Sequence, residues 1–327
     1  MRLFGSLILG FTKRLLPPLL LAWNCSASGA YPERPITVIA PFGSGSVVET
    51  TFRVILGETS KILGQPIVIE NRTGGMSRMG VLALRNAAPD GYTFSIGSDT
   101  LHVLQPILDS SFKLRPGKEY EPVAFLFSHN LVVVANQSMP FKDLKGLVAY
   151  AKAHPGKLNM AVATGSSTHF AALLFAAATS TDLTIVPYKS QNDFIPDLMS
   201  GRVDVTTTAM GLKGQTDAGQ LLALATTGSS RWSAYPETPT MTELGYAMSQ
   251  SVWYDVIAPA GTPRDVVTRF NVAIRQAMKT QVVVNKLKEG YFSASGSDML
   301  PAEFVRKVDS ETTTWTPILL RSGIKLQ

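Results

Sequence analysis

The fold is decided by the stretch Ile36-Thr37-Val38-Ile39-Ala40-Pro41-Phe42-Gly43-Ser44-Gly45-Ser46. Its first five residues form the β-branched, apolar run that is typical of a buried strand. Pro41 and the glycines end that strand, because proline cannot continue a central ladder and glycine adopts unusual backbone angles. From Val48 onward the apolar residues recur at helical spacing, and Gly64 marks the helix end. The pattern therefore predicts a strand, a Gly/Ser loop and a helix.

The predicted loop has the chemistry of an anion site. The first amides of a helix have no carbonyl partner within the helix, and they lie at the positive end of its dipole. The loop lacks the lysine of a phosphate-binding P-loop and the full glycine spacing of a dinucleotide fingerprint. We therefore expect a carboxylate to bind at this loop, whose residues are Phe42, Gly43, Ser44, Gly45 and Ser46.

The same residues also have a purely structural explanation. Ser46-Val47-Val48-Glu49 matches the capping box, in which Ser46 caps the helix and Glu49 accepts a hydrogen bond from the Ser46 amide. Under the ligand hypothesis, Glu49 instead accepts a hydrogen bond from an ammonium or hydroxyl group of the ligand. Both roles for Glu49 stay open at this point.

Residues 1–30 have the pattern of a secretory signal peptide, which places the mature protein in the periplasm. Three basic residues precede an apolar run over 15–23, and small residues follow up to Ala30. The run is too short to span a bilayer. A lipid anchor on Cys25 is the minor alternative, because the residues before Cys25 fit a lipoprotein signal poorly.

Removal of this segment changes the charge and the redox chemistry of the chain. The segment holds three basic residues and no acidic one, so the formal net charge falls from +6 to +3. A basic surface for nucleic acid is therefore not indicated. Cys25 is the only cysteine, so the mature chain relies on its core rather than on disulfides.

The rest of the chain has the pattern of a compact α/β protein. It is 45% hydrophobic and 17% charged, and strands alternate with helices at short intervals. We expect mainly parallel sheets flanked by helices. Two crossings, near 128–131 and 250–253, divide the mature chain into lobe I (31–130 plus 253–327) and lobe II (131–252).

A series of short motifs runs in order along almost the whole mature chain. They are Tyr31-Pro32-Glu33-Arg34-Pro35-Ile36, Leu63-Gly64-Gln65-Pro66, Glu70-Asn71-Arg72, Pro89-Asp90-Gly91-Tyr92-Thr93, Ala151-Lys152-Ala153-His154-Pro155-Gly156, Val186-Pro187-Tyr188-Lys189, Gly201-Arg202-Val203-Asp204, Ala258-Pro259-Ala260-Gly261-Thr262-Pro263 and Gly323-Ile324-Lys325. With this series the sequence resembles the substrate-binding receptors of tripartite tricarboxylate transporters, the Bug or TctC family.

The resemblance implies a two-lobed periplasmic binding protein of type II that closes on a small carboxylate. The ligand would be a di- or tricarboxylate, an amino acid or a related acid, held by backbone amides, hydroxyls and water. The receptor would act as a monomer, without cofactor or metal, and would deliver its ligand to the membrane subunits of a transporter or to a sensor protein.

The resemblance also implies a second loop that faces the first across the cleft, with the residues Thr164, Gly165, Ser166, Ser167, Thr168 and His169. Ser166 or Ser167 would also cap the helix that follows. We interpret His169 as a helix-start residue that braces the loop, with direct ligand contact as the alternative. Ser98, Asp99 and Thr100 follow a strand end and would contribute from lobe I, unless they form an ordinary turn.

Several positions depart from the family pattern, and they fall around the expected pocket. Gly45-Ser46 replaces a glycine pair, Glu49 replaces an aspartate, and Asp255 replaces a glycine after the aromatic pair. The run Thr206-Thr207-Thr208 stands where an aromatic and an acidic residue are common.

An enzyme is the competing hypothesis, in the form of a secreted serine hydrolase that uses Ser166 and His169. The sequence has no Gly-x-Ser-x-Gly elbow, and two residues so close together lie in one loop rather than converging from separate elements. The four histidines are scattered, which disfavours a metal site. We therefore expect a binding protein with no catalytic residue.

Overall fold

The computed structural model describes residues 31–74, 77–109, 111–209 and 212–321. The predicted signal peptide, and the last residues of lobe I from 322 to 327, lie outside this range. The strands are β1 (Ile36–Ala40), β2 (Ile67–Asn71), β3 (Thr93–Ser98), β4 (Tyr120–His129), β5 (Val132–Asn136), β6 (Asn159–Ala163), β7 (Thr184–Tyr188), β8 (Val205–Thr208), β9 (Leu221–Thr226) and β10 (Val252–Pro259).

The helices lie between and after these strands. They are α1 (Val47–Leu63), α2 (Arg78–Arg85), α3 (Gln105–Leu108), α4 (Leu144–Ala153), α5 (Ser167–Thr179), α6 (Gln191–Ser200), α7 (Lys213–Asp217), α8 (Arg264–Ala277), α9 (Gln281–Glu289) and α10 (Pro301–Arg321). One π-helical turn (Thr100–Leu104) runs directly into α3. Within the described ranges, no helix combines the length and the apolar character needed to cross a membrane.

The strands form two sheets of five. The first has the order β2-β1-β3-β10-β4 and the second has the order β7-β6-β8-β5-β9. Strands β1, β2 and β3 are parallel, as are β6, β7 and β8. The expectation of mainly parallel sheets needs correction here, because both sheets are mixed.

The antiparallel pairs involve the strands that follow the two crossings. Strand β10 is antiparallel to β3 and β4, and β5 is antiparallel to β8 and β9. At each crossing the chain enters the new sheet on the side that faces the sheet it has left. The strand that follows therefore runs away from the other sheet, antiparallel to neighbours that run toward it. The chain passes between the sheets after β4 and again between β9 and β10. The exact lobe boundaries stay a prediction.

Helix α1 shows how the local sequence sets the fold. The Ser46 hydroxyl accepts a hydrogen bond from the Glu49 amide, and Gly64 ends the helix in the left-handed conformation at φ 74°. Between these caps Phe52, Ile55 and Leu56 are buried against the first sheet. Burying each such side chain stabilises the fold by roughly 1.5–3 kcal/mol.

The hydrophobic core reaches from one sheet to the other. One buried cluster contains Phe125 and Trp253 of the first sheet together with Val133 and Met160 of the second. Helix α10 takes part in this cluster through residues that include Phe304, Trp315 and Leu319. It packs on the π-helical turn and on α5, so this helix contacts elements attached to both sheets.

Candidate functional site

The two sheets present facing edges. In the first sheet β1, β3 and β4 run in the same direction and end at Ala40, Ser98 and His129. The chain then needs only Asn130 and Leu131 to reach the start of β5, a step of at most about 10 Å. The carboxyl ends of the parallel strands in one sheet therefore face those of the other, and the loops that follow these ends lie on the facing sides of the two sheets.

The first predicted loop lies at the N-terminus of α1, as expected. Gly43, Ser44, Gly45 and Ser46 are exposed, and Gly45 takes a φ of 83°, which favours glycine. The carbonyl of Phe42 accepts a hydrogen bond from Asn71 Nδ2 at 3.0 Å. The loop is thus held from β2, and the first amides of α1 are directed outward from the helix end.

Glu49 adopts the capping role in the structure. Its Oε2 accepts a hydrogen bond from the Gly45 amide at 3.1 Å, while its own amide donates to Ser46 Oγ at 3.1 Å. The amide that Glu49 holds is therefore that of Gly45, one residue before the Ser46 amide of the predicted box. Its Oε1 is paired with Arg53 Nε at 2.5 Å, and the side chain is only 1% exposed.

Phe42 belongs to an aromatic group at the same edge. Its ring centroid lies 6.0 Å from that of Tyr254 in an edge-on arrangement, and 6.5 Å from that of Phe52. Tyr254 pairs with Ser98 across the β3–β10 ladder. Tyr254 therefore lies between the first loop and the buried Ser98.

The second predicted loop lies at the N-terminus of α5. Ser166 Oγ accepts from the His169 amide at 3.4 Å and donates to the Ala163 carbonyl at 2.7 Å. Thr164 is exposed, and Gly165 takes a φ of 72°. Ser166 therefore caps the helix, and the loop is a second Gly/Ser segment before a helix start.

His169 braces this loop from within. Its Nδ1 accepts a hydrogen bond from the Gly165 amide at 3.2 Å, so the proton of the neutral ring is on Nε2. Burial lowers the pKa of His169 below its usual value, which favours that neutral form. Nε2 is itself buried without a hydrogen-bond partner.

This arrangement argues against a serine hydrolase. A catalytic pair needs the imidazole to accept the serine proton. Here Nδ1 of His169 is occupied by the Gly165 amide, and the Ser166 hydroxyl donates to a backbone carbonyl. In the described ranges, no cluster of three or more histidine, cysteine and acidic side chains is arranged to hold a metal ion.

Ser98-Asp99-Thr100 and the second loop come together directly. The hydroxyl oxygens of Thr100 and Ser167 lie 2.8 Å apart, and Ser167 Oγ donates to Asp99 Oδ1 at 3.3 Å. Asp99 is 3% exposed. Its burial raises the pKa of this carboxyl to about 8, and the nearby Glu311 adds to the shift. Asp99 is therefore mainly protonated at neutral pH.

Asp99, which was expected to contribute from lobe I together with Ser98 and Thr100, contacts the second loop in the structure. Thr207 and Thr208 were expected near the pocket only as departures from the family pattern. Thr207 Oγ1 donates to the carbonyl of Thr168 at 2.7 Å and so fixes the first turn of α5. Thr208 Oγ1, at the end of β8, is buried without a partner. The run Thr206-Thr207-Thr208 at a strand end, which departs from the family pattern, was the available indication.

The comparisons with known proteins agree with this geometry. The sequence model described as the tripartite tricarboxylate transporter family receptor, TctC, matches residues 51–323. The chain is 30% identical to protein BugT of Bordetella pertussis over 308 residues, which covers 92% of this chain and 93% of BugT.

Two solved structures from Rhodopseudomonas palustris are also similar. MatC with bound malate gives a TM-score of 0.75 at 29% identity, covering 88% of this chain and 99% of MatC. Rpa4515 with adipate gives a TM-score of 0.76 at 29% identity, covering 90% of this chain and 99% of Rpa4515. These matches confirm the two-lobed periplasmic binding protein fold, and they are to binding proteins rather than to enzymes. The chain belongs to the TctC family of tripartite tricarboxylate transporter receptors, whose members are periplasmic solute-binding proteins.

Proposed function

We propose that the chain is a periplasmic receptor that captures a small carboxylate between two lobes and delivers it to the membrane subunits of a tripartite tricarboxylate transporter. The observation that supports this proposal is that two Gly/Ser loops, one attached to each sheet, each lie at the N-terminus of a helix. The malate in MatC and the adipate in Rpa4515 support the choice of a carboxylate.

The proposed site holds its ligand by dipoles rather than by a cation. Outward amides at the start of α1 and α5 lie at the positive ends of the two helices, and each end favours an anion by about 0.3–1 kcal/mol when exposed. The exposed hydroxyls of Ser44, Ser46 and Thr164 add donors. Two opposed helix ends suit a ligand with two acidic groups, one for each lobe.

The remaining parts of the proposal follow from the sequence. The receptor is exported by the segment 1–30, acts as a monomer, and closes about the crossings near 128–131 and 250–253 when its ligand binds. Delivery to a sensor protein is the alternative fate of the captured ligand, and it uses the same site.

The first experiment is a thermal-shift screen of the mature chain against mono-, di- and tricarboxylates, malate and adipate included, followed by titration calorimetry of each hit. Gly43→Asp places a negative charge in the first loop, where a new Cβ meets no atom within 4 Å. Gly214→Asp is the matched control. A Cβ at Gly214 also has open space, and Gly214 lies in helix α7, which packs on β9 of the second sheet.

We expect Gly43→Asp to weaken carboxylate binding by at least about tenfold through repulsion at the helix end, while the control stays within about twofold. Equal affinities in the two variants would remove the first loop from the site. Small-angle scattering should also show a smaller radius of gyration at saturating ligand.

Delivery needs a separate experiment in cells. Uptake of the radiolabelled hit should fall in a strain that lacks this chain and recover when the chain is restored. Unchanged uptake together with a lost transcriptional response to the ligand would assign the receptor to a sensor instead.

A further inference from the structure

A second cavity lies behind the expected carboxylate cleft. Its volume is about 460 Å³, and it is bounded by the π-helical turn, by α10 and by residues 242–251 of the segment that returns to the first sheet. None of the residues 42–46 or 164–169 lines it. The cavity is therefore separate from the two loops, although Asp99 borders both it and Ser167.

Of the described residues, the two ionisable side chains that line the cavity are both acidic. They are Asp99, at the start of the π-helical turn, and Glu311 on α10. Glu311 Oε1 is paired with Lys307 at 2.5 Å and its Oε2 accepts from Trp253 Nε1 at 2.9 Å, so its charge is balanced from the far side. Asp99 Oδ1 accepts from the hydroxyls of Ser167 and Thr100, and the nearby Lys307 ammonium is paired with Glu311 rather than with Asp99. A cation inside the cavity could pair with this carboxyl directly.

Gln250 provides an independent indication of a ligand. This side chain lines the same cavity, is 6% exposed, and its Oε1 is buried without a hydrogen-bond partner. A buried carbonyl oxygen without a donor costs free energy, so such groups are normally paired. A ligand that donates hydrogen bonds would satisfy Gln250 and Asp99 together.

The rest of the lining combines apolar and hydroxyl side chains. Leu104, Trp315 and Ile318 provide an apolar wall, and serine and threonine hydroxyls make up much of the remaining lining. Such a wall accommodates a hydrocarbon chain, and an indole ring also attracts a nearby cation through its face. A hydrated metal ion would gain nothing from this wall.

We propose that this cavity binds an organic ammonium ion, whose N–H groups bond Gln250 Oε1 and the carboxylates of Asp99 and Glu311 and whose hydrocarbon part packs on Trp315 and Ile318. The site takes a primary amine with an alkyl chain. Because it is lined both by α10 and by the segment that returns from the second sheet, its occupant bridges the two parts of the molecule. The site does not depend on a carboxylate in the cleft.

Titration calorimetry of the mature chain with n-hexylammonium chloride at pH 7 tests the proposal, with hexan-1-ol as the uncharged control. Asp99 is mainly protonated at this pH, while Glu311 and Lys307 are its charged neighbours on α10. Binding of a cation should drive the proton off Asp99. Titrations in phosphate and in Tris should therefore show the release of about one proton, which Asp99→Asn abolishes.

Two variants test the lining and a third is their control. Gln250→Met keeps the side-chain length and removes the acceptor, and Glu311→Gln removes a charge. Each should weaken hexylammonium binding by about tenfold. Asp309→Asn removes an exposed charge from the same helix outside the cavity and should leave the affinity within about twofold.

Three results would overturn the proposal. They are undetectable hexylammonium binding, equal binding of hexan-1-ol, and undiminished affinity in either lining variant.

Discussion

The hydroxyl oxygens of Thr100 and Ser167 lie 2.8 Å apart and join the end of β3 to the first turn of α5. A double-mutant cycle with Thr100→Val and Ser167→Ala should show a coupling of about 0.5–1.5 kcal/mol in the free energy of unfolding, the net value of one such bond. Urea unfolding measures it. Ser60→Ala in α1 is a distant control that should add to Thr100→Val without coupling, and zero coupling for the Thr100–Ser167 pair would show that the contact does not hold in solution.

Glu49 should matter for stability more than for ligand choice. Glu49→Ala leaves the Gly45 amide and Arg53 without their partner and should cost about 1–3 kcal/mol in the free energy of unfolding. Glu49→Gln keeps an acceptor and should cost less than half as much. Malate and succinate differ by one hydroxyl, so their affinity ratio should be the same in wild type and Glu49→Gln. A ratio that moves by tenfold would show that Glu49 meets the ligand.

Asp99 should make the fold less stable as the pH rises. Its pKa is about 8 in the fold against 3.8 ordinarily, so between pH 4 and 8 the folded chain holds a proton that the unfolded chain has lost. Stability then falls by up to about 1.4 kcal/mol per pH unit across this window and levels off above it. Asp99→Asn lacks this slope.

Urea unfolding at pH 5, 6, 7 and 8 compares the two chains. The difference in stability between Asp99→Asn and wild type should grow with pH, while exposed Asp309→Asn should run parallel to wild type. A constant difference for Asp99→Asn would mean that Asp99 titrates normally.

Gly97 should tolerate no side chain. A Cβ at Gly97 would collide with Asp255 Oδ1 and His102 Nε2, which are buried and lie 3.0 Å apart. Gly97→Ala should therefore lower the free energy of unfolding by about 3–5 kcal/mol, the usual cost of breaking a buried pair. Gly57→Ala, within α1 and with open space at its Cβ, should instead raise stability by about 0.5–1 kcal/mol. Similar effects at both positions would contradict this reading of the packing.

The order of strands and helices could be predicted from the sequence where local pattern and burial agree. Strand β1, the Ser46 cap and the stop at Gly64 follow directly from residue type and spacing. Helix α9 was missed, because Val282-Val283-Val284 favours a strand locally. In the fold, Thr280 caps this segment and the burial of Val283 and Leu287 makes it helical.

Sheet direction and side-chain partners were beyond the local pattern. The antiparallel placement of β10 depends on where the chain returns after the 122 residues between β4 and β10. A short stretch of sequence contains no information on that return. The capping box was predicted, but the amide that Glu49 reaches is fixed by its rotamer. From the sequence, Asp99 is an acidic residue in a turn. Its burial, which raises the pKa of the carboxyl, becomes evident only in the folded structure.

The position of β10 also sets an order on folding. Among the described strands, β10 alone pairs with β4, and it joins β4 to β3. It is nevertheless synthesised after every described strand of the second sheet. A nascent chain that has reached residue 250 can complete the second sheet but holds the first in two unjoined pieces. The N-terminal strands of the first sheet therefore wait for the last quarter of the chain, so the native first lobe cannot be completed before synthesis is nearly finished. Such a delay would suit the export that we propose for this chain, because a chain that is not yet folded can still be threaded across a membrane.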